Sequence, residues 1–139
     1  MKRLMLITVT MAIVALAPTS ARATTGSRID GSYSVTYTRA QFLAKTTDPT
    51  ENNPGNWGHF KLVLRNGHFT YSRLNSPKYT TTGTYEVAGA EITLHSVKDP
   101  TEVWNFRWKH TADGRYLIFH KLGHIGPTGF IVKPWNKTS

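Results

Sequence analysis

Six histidines and no cysteine frame the chemistry open to this chain of 139 residues. Without a thiol there is no disulfide, thiolate metal site or cysteine nucleophile, which removes zinc ribbons, iron–sulfur clusters and thioredoxin-type exchange. Imidazoles alone can hold a transition metal when two or three converge within about 2.1 Å of one ion. No H-x-H or H-E-x-x-H occurs to start such a site. His120 and His124 are four apart, but Leu122-Gly123 between them reads as a strand end and loop. His59, His68, His95 and His110 fall on different strands, mostly on the face opposite the large aromatics. Neither a metal nor a cofactor is expected.

Glu91 and Glu102 are the acids able to reach a cavity. Glu102 shares period-two parity with Trp104, Phe106 and Trp108 and would point inward at one end of a sheet. A carboxylate placed there could act as a general acid or base. Arg73 shares parity with Phe69 and Tyr71. The plainer expectation is that both side chains sit at a rim, reach solvent and pair with each other. A Ser–His–Asp arrangement has no motif to rest on, since G-x-S-x-G is absent and Asp30, Asp48, Asp99 and Asp113 fall in turns or loops.

Seventeen Lys and Arg against eight Asp and Glu give a formal charge of +9. Such a balance raises nucleic acids and anionic surfaces as partners. Single-strand binders interleave basic and aromatic residues on one face. Here Arg107 and Lys109 alternate with Trp104, Phe106 and Trp108, so the two sets lie on opposite faces of their strand. That pattern suits a packed interior with a basic exterior. Nucleic acid is therefore not expected as a partner, and a weak attraction to anionic surfaces is.

These residues are carried by short alternating runs. Residues 32–38 place Tyr33, Val35 and Tyr37 on one face, and Thr38 could cap a short helix over 39–45 with Phe42 and Leu43 inward. Residues 46–56, rich in Thr, Asn, Pro and Gly, form a loop. Residues 58–65 and 68–74 flank Asn66-Gly67, a pair suited to the type I′ turn of a two-residue hairpin. Further strands are expected over 82–87, with Tyr85 inward, and over 91–97, 102–110, 115–121 and 130–135, the last carrying Phe130. No helical periodicity is long enough for a parallel crossover. The expected fold is all-β: an eight-stranded antiparallel up-and-down β-barrel with one short helix after the first strand. A two-sheet sandwich is the rival; short links and first and last strands able to pair favour the barrel.

Gly31-Ser32-Tyr33 at the start of the first strand, followed by eight meandering strands, resembles the lipocalin-like (calycin) superfamily. Lipocalins usually carry Gly-x-Trp at this point, so the tryptophan is replaced by tyrosine, and the C-terminal helix many of them possess is missing. The ending Gly126-Pro127-Thr128-Gly129-Phe130 to Lys133-Pro134-Trp135 is similar to that of small exported bacterial β-domains. The lipocalin resemblance implies a barrel holding one small ligand.

Export is also written in the first residues. Lys2 and Arg3, an apolar stretch from Leu4 to Ala17, and Ala21-Arg22-Ala23 fit a secretory signal peptide over 1–23, cleaved after Ala23. The stretch is shorter than the roughly 20 residues of a membrane-crossing helix, so no span is expected after cleavage. Residues 24–139 would then form one secreted or periplasmic domain that contains every Trp, Tyr and Phe. The expected function is binding of a small apolar or amphipathic molecule inside the barrel. Its contacts would be Tyr33, Tyr37, Tyr71, Arg73, Tyr85, Glu102, Trp104, Trp108 and Phe130. Two other readings stay open: a small barrel enzyme of cyclase or isomerase type, and an accessory domain with a filled barrel and basic outer face.

Overall fold

The computed structural model describes residues 28–74, 76–123 and 126–139. The expected leader over 1–23, and His124, lie outside them. The strands follow in order: β1 (Gly31–Tyr37), β2 (Gly58–Arg65), β3 (His68–Arg73), β4 (Ser76–Ala88), β5 (Glu91–Ser96), β6 (Val103–His110), β7 (Tyr116–Lys121) and β8 (Trp135–Lys137). Each pairs antiparallel with the next, and β8 returns to β1, so the sheet closes on itself as the alternation predicts. Closure rules out the sandwich.

Local chemistry sets the elements. The one α-helix among the described residues, α1 (Arg39–Leu43), begins at a capping box. The Thr38 hydroxyl accepts from Gln41 N at 3.2 Å, and Gln41 Oε1 accepts from Thr38 N at 3.0 Å. Asn66 and Gly67 take φ of 50° and 79°, the positive pair a type I′ turn needs, and join β2 to β3. Alternation then buries Tyr33, Val35 and Tyr37 from β1, Phe60, Leu62 and Leu64 from β2, and Trp104 and Phe106 from β6.

The antiparallel meander gives the barrel two ends. At the base lie the start of β1, the β2–β3 turn and the end of β6. There Ile29 is fully buried, and the Tyr33 hydroxyl donates to its carbonyl at 2.7 Å. At the mouth lie the end of β1, α1, the start of β4, the β5–β6 link and residues 122–123 and 126–134.

Three expectations need correction, all at the mouth. Residues 130–135 do not form a strand. Thr128–Ile131 is a 3-10 turn that folds into the mouth, and β8 is reduced to Trp135–Lys137. Phe130 is fully buried from that turn. Glu102 is exposed and precedes β6 instead of opening it. The Asp99 turn accounts for this: Glu102 N donates to Asp99 O at 3.0 Å, and Thr101 N to Asp99 Oδ1 at 3.0 Å. Finally, β4 starts at Ser76 rather than Thr82 and overshoots β5, whose pairing stops at Ser96 opposite Gly83.

Candidate functional site

The barrel interior is filled by rings. Phe130 lies parallel to Phe106 at 5.0 Å between centroids and meets Phe119 at 5.2 Å, Tyr71 at 5.1 Å, Trp135 at 5.6 Å and Trp104 at 6.0 Å. Trp135 is anchored by its indole N–H, which donates to Phe130 O at 3.1 Å. The barrel centre is thus occupied by Phe130 and Trp135, from the residues that follow β7.

Above this packed centre is a cavity of about 260 Å³ at the mouth. Its aromatic floor is Phe42 from α1, Phe60 from β2 and Tyr71 from β3. One wall is the overshooting part of β4, Lys78 to Thr81, with Lys98 nearby; the other is Pro127, Thr128 and Gly129. The loop over 46–56 supplies Glu51, Gly55 and Asn56. Two 3-10 turns, Pro49–Glu51 and Pro54–Asn56, order that loop, each with proline first and a capping side chain before it. Asp48 Oδ1 accepts from Thr50 N at 2.8 Å, and Asn53 Oδ1 from Gly55 N at 2.9 Å.

Glu51 ties the loop to the 3-10 turn over the barrel. Its carboxylate accepts from the Thr46 hydroxyl and from the Thr128 hydroxyl, the latter at 2.9 and 3.1 Å to its two oxygens. Beneath, Phe42, Tyr37, Phe60 and Tyr71 stack in sequence, with centroid separations of 6.1, 5.2 and 5.5 Å. The Tyr37 and Tyr71 hydroxyls converge on Gly129. A Cβ built there would lie 2.3 Å from one and 2.9 Å from the other, so only glycine lets the turn approach them. Tyr37 is 2% exposed, and its hydroxyl lies against that of Tyr71.

The nine expected contact residues are scattered over the mouth, the packed centre and the base. Tyr71 lines the cavity and Tyr37 lies against its Gly129 wall. Arg73 is beside it, its guanidinium 5.8 Å from the Tyr79 ring centre. Trp104 and Phe130 belong to the packed centre. Tyr33, Tyr85 and Trp108 belong to the base side. The Tyr33 hydroxyl lies 3.2 Å from His110 Nε2, Trp108 meets His110 edge-on at 5.5 Å, and the Tyr85 hydroxyl donates to the Asp30 carboxylate. Trp104 is thus toward the mouth and Trp108 toward the base, as their order along β6 predicts. Glu102 joins none of these, and its expected pairing with Arg73 is replaced by the Arg73–Tyr79 stack.

Sequence reasoning did not single out Glu51, Thr128 and Gly129. The histidines stay apart: among the described residues no three His, Asp or Glu side chains are grouped to hold a metal. No protein-family model matches the chain, and no curated protein or solved structure matches it either. The closed eight-stranded meander is compatible with a lipocalin-like fold.

Burial raises the pKa of three tyrosines. For Tyr33 it does so together with the Asp30 carboxylate, pushing the phenol up to about 12. Burial, then neighbouring Tyr71, raises Tyr37, and burial raises Tyr71. An unfolded tyrosine ionises near pH 10. Their contribution to stability is therefore complete below about pH 10 and is lost as the pH rises toward the folded values, by up to ~1.4 kcal/mol per unit per group. The midpoint of thermal unfolding is expected to fall steeply between about pH 10 and 12. Tyr33→Phe should flatten that slope; an unchanged slope would refute the assignment to Tyr33.

Proposed function

We propose that this protein is an exported, lipocalin-like carrier of a small amphipathic molecule, taken at the mouth and not in the barrel centre. The observation that carries this reading is the cavity over the Phe42, Phe60 and Tyr71 rings, with the Tyr71 hydroxyl against its Gly129 wall. Ligand sites combine apolar walls with a few placed polar groups, and Phe42, Phe60 and Tyr71 supply a flat apolar floor. Lys78 and Lys98 add donors at the rim. The matching ligand has a flat apolar body and an acceptor oxygen. At about 260 Å³ the cavity is below the ~300 Å³ at which drug-sized sites begin, so the ligand is small.

Binding is favoured over catalysis by the state of the polar groups. Both oxygens of Glu51 are engaged by threonine hydroxyls, and tyrosines with raised pKa values stay protonated at neutral pH and donate. Export is supported by the charged start, the short apolar stretch and Ala21-Arg22-Ala23.

Native mass spectrometry of protein recovered from cells that make it is expected to show a bound small molecule. Thr80→Trp, at an exposed position of the rim, should abolish the adduct while changing stability by no more than about 0.5 kcal/mol. An adduct that survives Thr80→Trp and is lost in Trp104→Ala would place the ligand in the barrel centre instead.

A further inference from the structure

The barrel is closed unevenly. β7 pairs with β6 from Leu117 to Lys121, but with β8 only at Tyr116 and Leu117. Beyond that point the chain opposite β7 is the 3-10 turn and the bend after it, not a strand. Antiparallel backbone groups alternate sides. Leu122 N donates to Asn105 O and Thr111 N to Tyr116 O, so even-numbered residues of β7 bond toward β6. Phe119 and Lys121 therefore turn their N–H and C=O groups to the open side, and among the described residues no backbone bond to the 131–134 segment meets them.

A groove of about 440 Å³ follows this seam. Ile118, Ile131 and Pro134 contribute apolar surface, while Lys45, His120, Lys121 and Lys133 bring basic groups, and no carboxylate lines it. The Lys133 ammonium donates to the Thr36 carbonyl of β1 at 3.3 Å, on the other side of its segment. An unfinished strand edge with basic side chains along it matches a definite partner.

We propose that this seam docks an extended acidic peptide segment of another protein, which adds as a strand along Phe119–Lys121. Main-chain bonds to the β7 edge would give affinity, as in other strand additions, and carboxylates facing Lys45, Lys121 and Lys133 would set the choice of partner. An anionic polymer or a lipid surface would use the charges and leave the backbone edge unused. The groove shares no lining residue with the mouth cavity, so it stands independently of the carrier reading.

The test uses a labelled peptide alternating Glu and Val, the same peptide methylated on alternate amide nitrogens, an inorganic polyphosphate, and vesicles rich in phosphatidylglycerol. The plain peptide is expected to bind, to shift the amide resonances of Phe119 and Lys121, and to weaken steeply with salt. Methylation should lower its affinity about tenfold or more, as should Lys45→Glu combined with Lys133→Glu. Both lysines are exposed, and retained thermal unfolding would verify that the double variant folds; Lys45→Glu alone gives a milder second measurement. Equal binding of the methylated peptide, or binding of polyphosphate or vesicles without shifts at Phe119 and Lys121, would overturn strand addition. So would absence of binding by the plain peptide.

Discussion

Truncating Phe130 to Ala is expected to destabilise the domain by about 3–5 kcal/mol, the range for removing a buried aromatic ring. The ring is fully buried and bridges Phe106, Phe119, Tyr71, Trp104 and Trp135. Its loss would leave a void where the 3-10 turn enters the barrel, and would loosen Thr128 and with it the Glu51 tie. Urea unfolding followed by tryptophan fluorescence measures the change. Phe106→Ala should cost a similar amount, because the two rings stack. A loss below about 1 kcal/mol for Phe130→Ala would mean that the turn only rests on the barrel, and the centre would again be open to a ligand.

Gly83→Ala is expected to be comparably severe, at or above the top of the ~1–3 kcal/mol usual for overpacking. Gly83 faces Ser96 of β5 and Phe69 of β3. An added Cβ would lie 1.9 Å from the His95 carbonyl oxygen and 2.7 Å from the Phe69 ring. The first of these is backbone, so relief requires β4 and β5 to separate. Poor recovery of soluble protein, or a large drop in the urea midpoint, is the expected result. Unchanged stability would contradict the close packing of these strands.

Alternation was a faithful guide wherever a strand had one face in the core and one in water. β2, β3, β5 and β7 fall within a residue or so of their expected spans, and β6 puts Trp104 and Phe106 inside. It misled in three ways. Phe130, Ile131 and Val132 have strand propensity, yet Phe130 is buried from a turn that crosses the mouth, a position local pattern does not encode. The first part of β4, Ser76–Thr81, carries few apolar residues because it lines an opening instead of a core, so no alternation marks it. Parity extended one step too far placed Glu102 inside, where the Asp99 turn had already ended the strand. The candidate site was legible only in Tyr37 and Tyr71, with Arg73 at its edge. Glu51, Thr128 and Gly129 come from segments whose composition reads as loop, and they meet only because Thr128 and Glu51 bond across the mouth.

Closure by β8 has a consequence for how the molecule is made. Tyr33 pairs with Lys137, Ser32 N donates to Ser139 O at 2.9 Å, and Thr138 N to Ser32 O at 2.8 Å, so the ring is completed by contacts spanning most of the chain. Contacts so distant in sequence exact a large loop entropy before they return any energy, and β-topologies of this kind fold in milliseconds to seconds. Synthesis at about 5–20 residues per second means that β1 is made seconds before the residues that complete its pairing. A ribosome-bound chain therefore holds a sheet with two bare edges until the residues of β8 have been made.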